Sequence, residues 1–133
     1  MIITGTRLKV VDNTGVVEVC CFAVIKGKAA TIGDTIVVSV KATKRVLKTS
    51  TKSISLGSVQ LAVVTGIKGR YVQKDGTSIR FDQNSAALLV AKSKTAKKSV
   101  NKGTLGNRIM MPVVEELRSS KHKKLYTLGA GSI

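Results

Sequence analysis

The sequence predicts an all-β fold, a small closed barrel, on three observations. Apolar residues recur with a period of two, valine, isoleucine and threonine abound, and few segments could present the 3.6-residue stripe of a helix face. About five or six short strands follow, and closing them into a barrel removes edges that would otherwise pair with other chains. At 133 residues the chain is about one domain long, and a chain of that size buries roughly two thirds of its unfolded surface.

The elements follow in order. Met1 to Arg7 lacks the charged-then-apolar layout of a secretory signal, so no cleaved leader is expected there. Arg7 to Val11 alternates, with Leu8 and Val10 on one side and Arg7 and Lys9 on the other, before Asp12-Asn13-Thr14-Gly15 supplies turn chemistry. From Val16 to Lys26 the odd positions Val17, Val19, Cys21, Ala23 and Ile25 are all apolar, which predicts an odd-numbered interior face. Cys20 and Cys21 are adjacent on a strand and point to opposite faces, so a disulfide between them would be strained and two buried thiols are expected.

After a loop from Gly27 to Gly33, a strand over about Asp34 to Thr43 turns Ile36, Val38, Val40 and Ala42 inward and Ser39 and Lys41 outward. A further strand, about Val59 to Lys68, turns Val59, Leu61, Val63 and Ile67 inward and Lys68 outward. Asp75-Gly76 then reads as a hairpin turn, Ser78 to Asp82 as a short strand with Ile79 and Phe81 inward and Arg80 outward, and Ala86 to Val90 as a buried strand. Pro112 suits the first position of a short helix, with Glu115 and Glu116 in its opening turn and Arg118 and Lys121 towards its end. Leu117, Leu125 and Leu128 would pin this tail to the barrel.

The charge is the second theme. A formal net charge of +16, from 23 basic and 7 acidic residues, exceeds what an ordinary solvated surface requires and favours a polyanionic partner, nucleic acid first. Between Asp34 and Asp75 there is no acid, while Lys41, Lys44, Arg45, Lys48, Lys52, Lys68, Arg70 and Lys74 all fall in that span. Its stretch from Lys44 to Ser53 reads as an arm lying against phosphates, since charge of one sign repels itself until something neutralises it. A second acid-free run, Lys92 to Arg108, includes Lys97 and Lys98 among glycine, serine and threonine, and reads as poorly structured in the free chain.

Enzymatic chemistry has no visible foothold. His122, the one histidine, lies among lysines, and the acids are scattered rather than paired. Two cysteines cannot build a zinc finger, Gly129-Ala130-Gly131 has no following helix to complete a phosphate loop, and no cofactor or metal is expected. No apolar run approaches the length of a membrane-spanning helix, so membrane insertion is not expected. Aromatic residues are few (Phe22, Phe81, Tyr71, Tyr126), which argues against base stacking and for contacts to phosphate and ribose of folded RNA.

The stretch Asp75-Gly76-Thr77-Ser78-Ile79-Arg80-Phe81-Asp82-Gln83-Asn84 resembles a characteristic segment of the universal large-subunit ribosomal protein fourteen family. Val11-Asp12-Asn13-Thr14-Gly15, Gly33-Asp34, Arg108-Ile109, Pro112-Val113 and Glu116-Leu117-Arg118 match it in order, so the resemblance covers nearly the whole chain. It implies a five-stranded barrel with a projecting β-ribbon and short C-terminal helices: about residues 1–91 as barrel, 92–108 as basic loop and 109–133 as tail. It also implies a structural constituent of the large ribosomal subunit, without catalytic activity, that binds rRNA and faces the small subunit.

By position the resemblance assigns rRNA contacts to Lys41, Lys44, Arg45, Lys48, Lys68, Arg70 and Arg80, and the basic pattern adds Arg7, Lys9, Lys52, Lys74, Lys97 and Lys98. Arg108, Arg118, Lys121 and Lys124 match the face that reaches small-subunit rRNA at an intersubunit bridge, a neighbouring ribosomal protein and a ribosome-silencing factor. The family commonly has threonine at Asn107, glycine at Met111 and proline at Lys74. Those departures, with an expanded 92–106 stretch and a serine- and threonine-rich arm, resemble a mitochondrial copy more than a bacterial one; the alternative location is a bacterial cytoplasmic ribosome. The rival reading of function is a free-standing barrel-type translation factor or RNA chaperone.

Overall fold

The computed structural model describes residues 1–43, 56–89, 109–115, 117, 123–129 and 131. Strand β1 (Arg7–Val10) pairs antiparallel with β2 (Val16–Val24), which pairs with β3 (Thr35–Thr43), then β4 (Val59–Gly66), then β7 (Ser85–Leu89). A parallel β1–β7 pairing, Lys9 to Ser85 and Val10 to Ala86, closes the barrel. Between β4 and β7 the chain leaves the barrel to form a two-stranded ribbon, β5 (Tyr71–Val72) and β6 (Ser78–Ile79). Helix α1 (Lys123–Leu128) lies near the C-terminus. The all-β fold, the closed five-stranded barrel and the short helical tail therefore agree with expectation.

In β1, Leu8 and Val10 are buried while Arg7 and Lys9 are exposed. In β3, Ile36, Val38 and Val40 are buried as expected, although Ala42 is only half-buried. The odd-numbered interior of β2 is not kept: Val16, Val19 and Cys21 are buried, Val17 and Ala23 are half-buried, and Ile25, beyond the strand, is 58% exposed. Register shifts between Val16 and Glu18, Glu18 and Val19, and Cys21 and Ala23 are the cause. Each shift inserts or removes a residue, and with a side-chain period of two that exchanges the faces. Cys20 consequently lies on the outer face, half-buried rather than buried, while burial and the neighbouring Cys20 push the Cys21 thiol up; both thiols are free.

The expected register of β4 is inverted. Ala62 pairs with Ile36 and Leu88, on the interior face, whereas Leu61 pairs with Val37 and Leu89, and Val63 with Thr35 and Ala87, on the outside. Val59 is 56% exposed, yet Val63, Ala87 and Leu89 are buried. Paired residues share a face, so the outside of β4 and β7 must carry a second layer. The buried Ile109, Val113, Val114, Leu117 and Leu125 belong to the same apolar cluster. Alternation was uninformative here because Leu61-Ala62-Val63-Val64 is apolar at every position, the pattern of a strand covered on both sides.

Gly66 lets β7 and the returning chain approach β4 closely: a Cβ there would lie 2.6 Å from the Ser85 hydroxyl and 3.0 Å from the Phe81 ring. That hydroxyl is itself buried, 3.1 Å from the hydroxyl of Thr65. Phe81, expected on the inward face of a strand, instead follows β6 and packs half-buried against the outside of the core.

The helix expected at Pro112 does not start there. The backbone is extended, and the Val113 N–H donates to the Gly131 carbonyl at 2.9 Å. Val113 and Val114 are both fully buried; consecutive side chains point to opposite faces only in extended backbone, and β-branched pairs favour it. Leu117 and Leu125 are buried and Leu128 is partly so, as the tail-pinning role requires. Among the described residues no helix is long and apolar enough to cross a membrane.

Candidate nucleic-acid interface

The outward face of β1 offers Arg7 and Lys9, both exposed. Register places Arg7 beside Cys20, Cys20 beside Ser39 and Ser39 beside Val59, so one rung of the outer wall carries a cation, a thiol, a hydroxyl and an exposed valine. Lys41 is exposed near the end of β3. These side chains are on the surface because the bulky aliphatic alternates of the same strands are inside.

The remaining described cations expected at the site lie on the excursion between β4 and β7. Lys68 and Arg70 are on its outgoing limb, Lys74 at the hairpin and Arg80 on the return, all exposed. The hairpin turns at Asp75-Gly76: Gly76 has φ +90°, the left-handed region glycine enters without a Cβ clash. The Gln73 N–H donates to the Thr77 carbonyl at 2.7 Å, and the Asp75 carboxylate accepts the Thr77 N–H at 3.0 Å. At the base of the excursion the Phe81 N–H donates to the Ile67 carbonyl at 3.1 Å, which brings the segments carrying Lys68 and Arg80 together.

Asn84 then joins this base to the barrel. Its side-chain Oδ1 accepts the Lys68 N–H at 2.9 Å, and its own carbonyl accepts the Lys9 N–H at 2.9 Å. Lys9, Lys68 and Arg80, far apart in sequence, thereby share one corner of the molecule. Asn84 falls between the strands expected at Ser78 to Asp82 and Ala86 to Val90, and the sequence assigns it no such role. A short amide in a turn is common, and nothing local marks which distant N–H it will accept.

Asp12, Asp34 and Asp75 are engaged in their own turns. Asp12 accepts from the Thr14 N–H (3.3 Å), the Thr14 hydroxyl (2.6 Å) and, across the barrel seam, the Leu88 N–H (2.9 Å). Asp34 accepts from the Thr31 N–H at 2.9 Å. Hydrogen bonds from Thr77 hold the Asp75 carboxyl below the usual carboxylate range, whereas burial raises that of Asp12 against the pull of its donors. Among the described residues one ion pair forms, Arg7 to Glu18 at 3.3 Å. Lys26 and Lys28, in the loop between β2 and β3, add two exposed cations that were not assigned to the site. Among the described residues no group of three metal-ligating side chains converges.

Of the residues expected to bind rRNA, Arg7, Lys9, Lys41, Lys68, Arg70, Lys74 and Arg80 are placed on the surface, and Lys9, Lys68 and Arg80 are brought together. Lys44, Arg45, Lys48, Lys52, Lys97 and Lys98 lie outside the described residues. So do Arg108, Arg118 and Lys121 of the expected partner face; Lys124 falls within α1.

A closed five-stranded barrel whose described lysines and arginines are exposed on its wall and on the β4–β7 excursion is a small cationic β-barrel. The chain belongs to the family described as Ribosomal protein L14p/L23e, whose model matches residues 1–133. It is accordingly a structural protein of the large ribosomal subunit, associated with the ribosome.

Proposed function

We propose that this protein binds folded large-subunit rRNA through the exposed cations of the barrel wall and the β4–β7 excursion, and helps to form the intersubunit face. The observation that carries this reading is the imbalance of the described surface: Lys9, Lys41, Lys68, Arg70, Lys74 and Arg80 are exposed, while Asp12 is buried, Asp34 and Asp75 accept hydrogen bonds within their own turns and Glu18 is paired with Arg7. Phosphate contacts suit lysine and arginine on a rigid wall, and the wall has few aromatic platforms for reading bases. The basic residues of the 44–53 and 92–108 sequences add to the charge available for rRNA, and the tail from 109 onward contacts a neighbouring ribosomal protein, small-subunit rRNA at a bridge and a silencing factor. The ribosome concerned is mitochondrial, on the composition of the arm and of the 92–106 stretch.

Sedimentation separates a resident component from a cycling factor. In high-salt gradients that strip loosely bound factors, the protein is expected to remain with the large subunit, because its contacts form during assembly. Quantitative release into the top fractions would overturn the reading.

A further inference from the structure

The geometry points to a composite phosphodiester-binding site formed by Lys9, Lys68 and Arg80, with Asn84 as the positioning residue that assembles it. This rests on the RNA-binding reading and sharpens it, from a generally basic surface to one corner with a dedicated organiser.

Three cations come from separate parts of the chain: Lys9 from β1, Lys68 from the segment between β4 and β5, and Arg80 from the segment after β6. Two of the links that bring them together run through one residue, the Asn84 side chain to the Lys68 N–H and the Asn84 carbonyl to the Lys9 N–H, both at 2.9 Å. The third is the bond from Phe81 to Ile67, whose position is held by the Phe81 ring against Gly66. An excursion anchored this way cannot swing from the wall without breaking the amide contact, so the backbone segments that carry the cations are held near one another before a ligand arrives. Pre-organisation of that kind raises affinity by removing the ordering cost.

The neighbouring acids must be counted. Glu18 is the cross-strand partner of Lys9, but its carboxylate is taken by Arg7 at 3.3 Å. Asp82 is exposed in the same turn and forms no ion pair among the described residues. The corner therefore carries an excess of positive charge on a stiff backbone. A phosphodiester linkage with its two acceptor oxygens suits it, and the spread over three segments suits adjacent phosphates of a folded RNA better than an isolated anion.

The test uses the full-length protein and protein-free large-subunit RNA, with affinity measured as a function of salt. Each lost phosphate contact lowers the salt slope by about one. K9Q/K68Q is therefore expected to lower it by about two, while the charge-matched K26Q/K28Q changes it by less than about half a contact. N84A is expected to weaken binding in the wild-type background and to add little in K68Q, since it acts through Lys68; additive losses would make it merely structural. D82N should tighten binding. Equal losses from the two double variants would overturn the site while leaving general RNA binding intact, and a wild-type protein without salt-dependent binding would overturn both. Because K9Q, K68Q, K26Q and K28Q alter exposed side chains, the comparison stands even if N84A fails to fold.

Discussion

Raising salt from 50 to 200 mM is expected to cut the affinity of the protein for large-subunit RNA by about 10³ to 10⁵, if roughly six to ten phosphates are neutralised. The described surface alone offers Lys9, Lys41, Lys68, Arg70, Lys74 and Arg80 without an ion-pair partner among the described residues. Each cation that binds a phosphate releases condensed counterions, and that release is what added salt opposes. A titration in which the logarithm of affinity falls linearly with the logarithm of salt concentration would confirm the mechanism. A flat line would mean that affinity comes from apolar contact or base stacking, for which Phe22 is the exposed aromatic on the barrel wall.

The second large effect is expected from Asp12→Ala. Asp12 is a buried carboxylate that closes the Asp12-Asn13-Thr14-Gly15 turn and accepts the Leu88 N–H of β7. Its backbone also pairs with Ile109, and the Met110 N–H donates to the Val11 carbonyl, so the tail is fixed to the barrel at this point. Removing the carboxylate orphans a buried N–H, which costs about 1–3 kcal/mol, and the lost turn bonds add roughly 1 kcal/mol. Denaturant unfolding of D12A should therefore show a loss of about 2–4 kcal/mol at neutral pH. A loss under about 0.5 kcal/mol, the range of an ordinary surface change, would refute the assignment.

The pH dependence of that loss has a definite sign. Burial raises the Asp12 pKa above its unfolded value, so the folded state holds this proton more tightly than the unfolded chain. Its contribution is then fully present below the unfolded value and is lost as pH rises through the folded one. The gap between wild type and D12A should be wider near about pH 4 than near about pH 7. Asp75, lowered by its bonds to Thr77, runs the opposite way: its contribution is present above the unfolded value and fades as pH falls through the folded one.

What the sequence made legible follows from where its pattern was unambiguous. In β1 and β3, apolar and polar residues alternate or the β-branched set keeps one parity, and both faces were read correctly from Leu8, Val10, Ile36, Val38 and Val40. In β4 the run Leu61-Ala62-Val63-Val64 gives no parity, and residues on its outer face such as Val63 are buried as well as those inside the barrel. The bulges of β2 arise from pairing with β3 and have no local mark in valine- and cysteine-rich sequence. For the site, residue type sufficed to nominate lysines and arginines, since long cations rarely bury. Which of their backbone segments meet was not legible, because the Lys9 and Lys68 N–H groups donate to Asn84 and the Phe81 N–H donates to Ile67, contacts that depend on the closed barrel.

Lysine footprinting on the intact particle addresses the central claim most directly. Native large subunits would be acylated briefly, before and after ribonuclease digestion, and modification read by mass spectrometry at Lys9, Lys41, Lys68 and Lys74. Strong protection in the particle that disappears once the RNA is removed is the predicted result. Equal reactivity in both states would show that these exposed lysines do not lie against RNA.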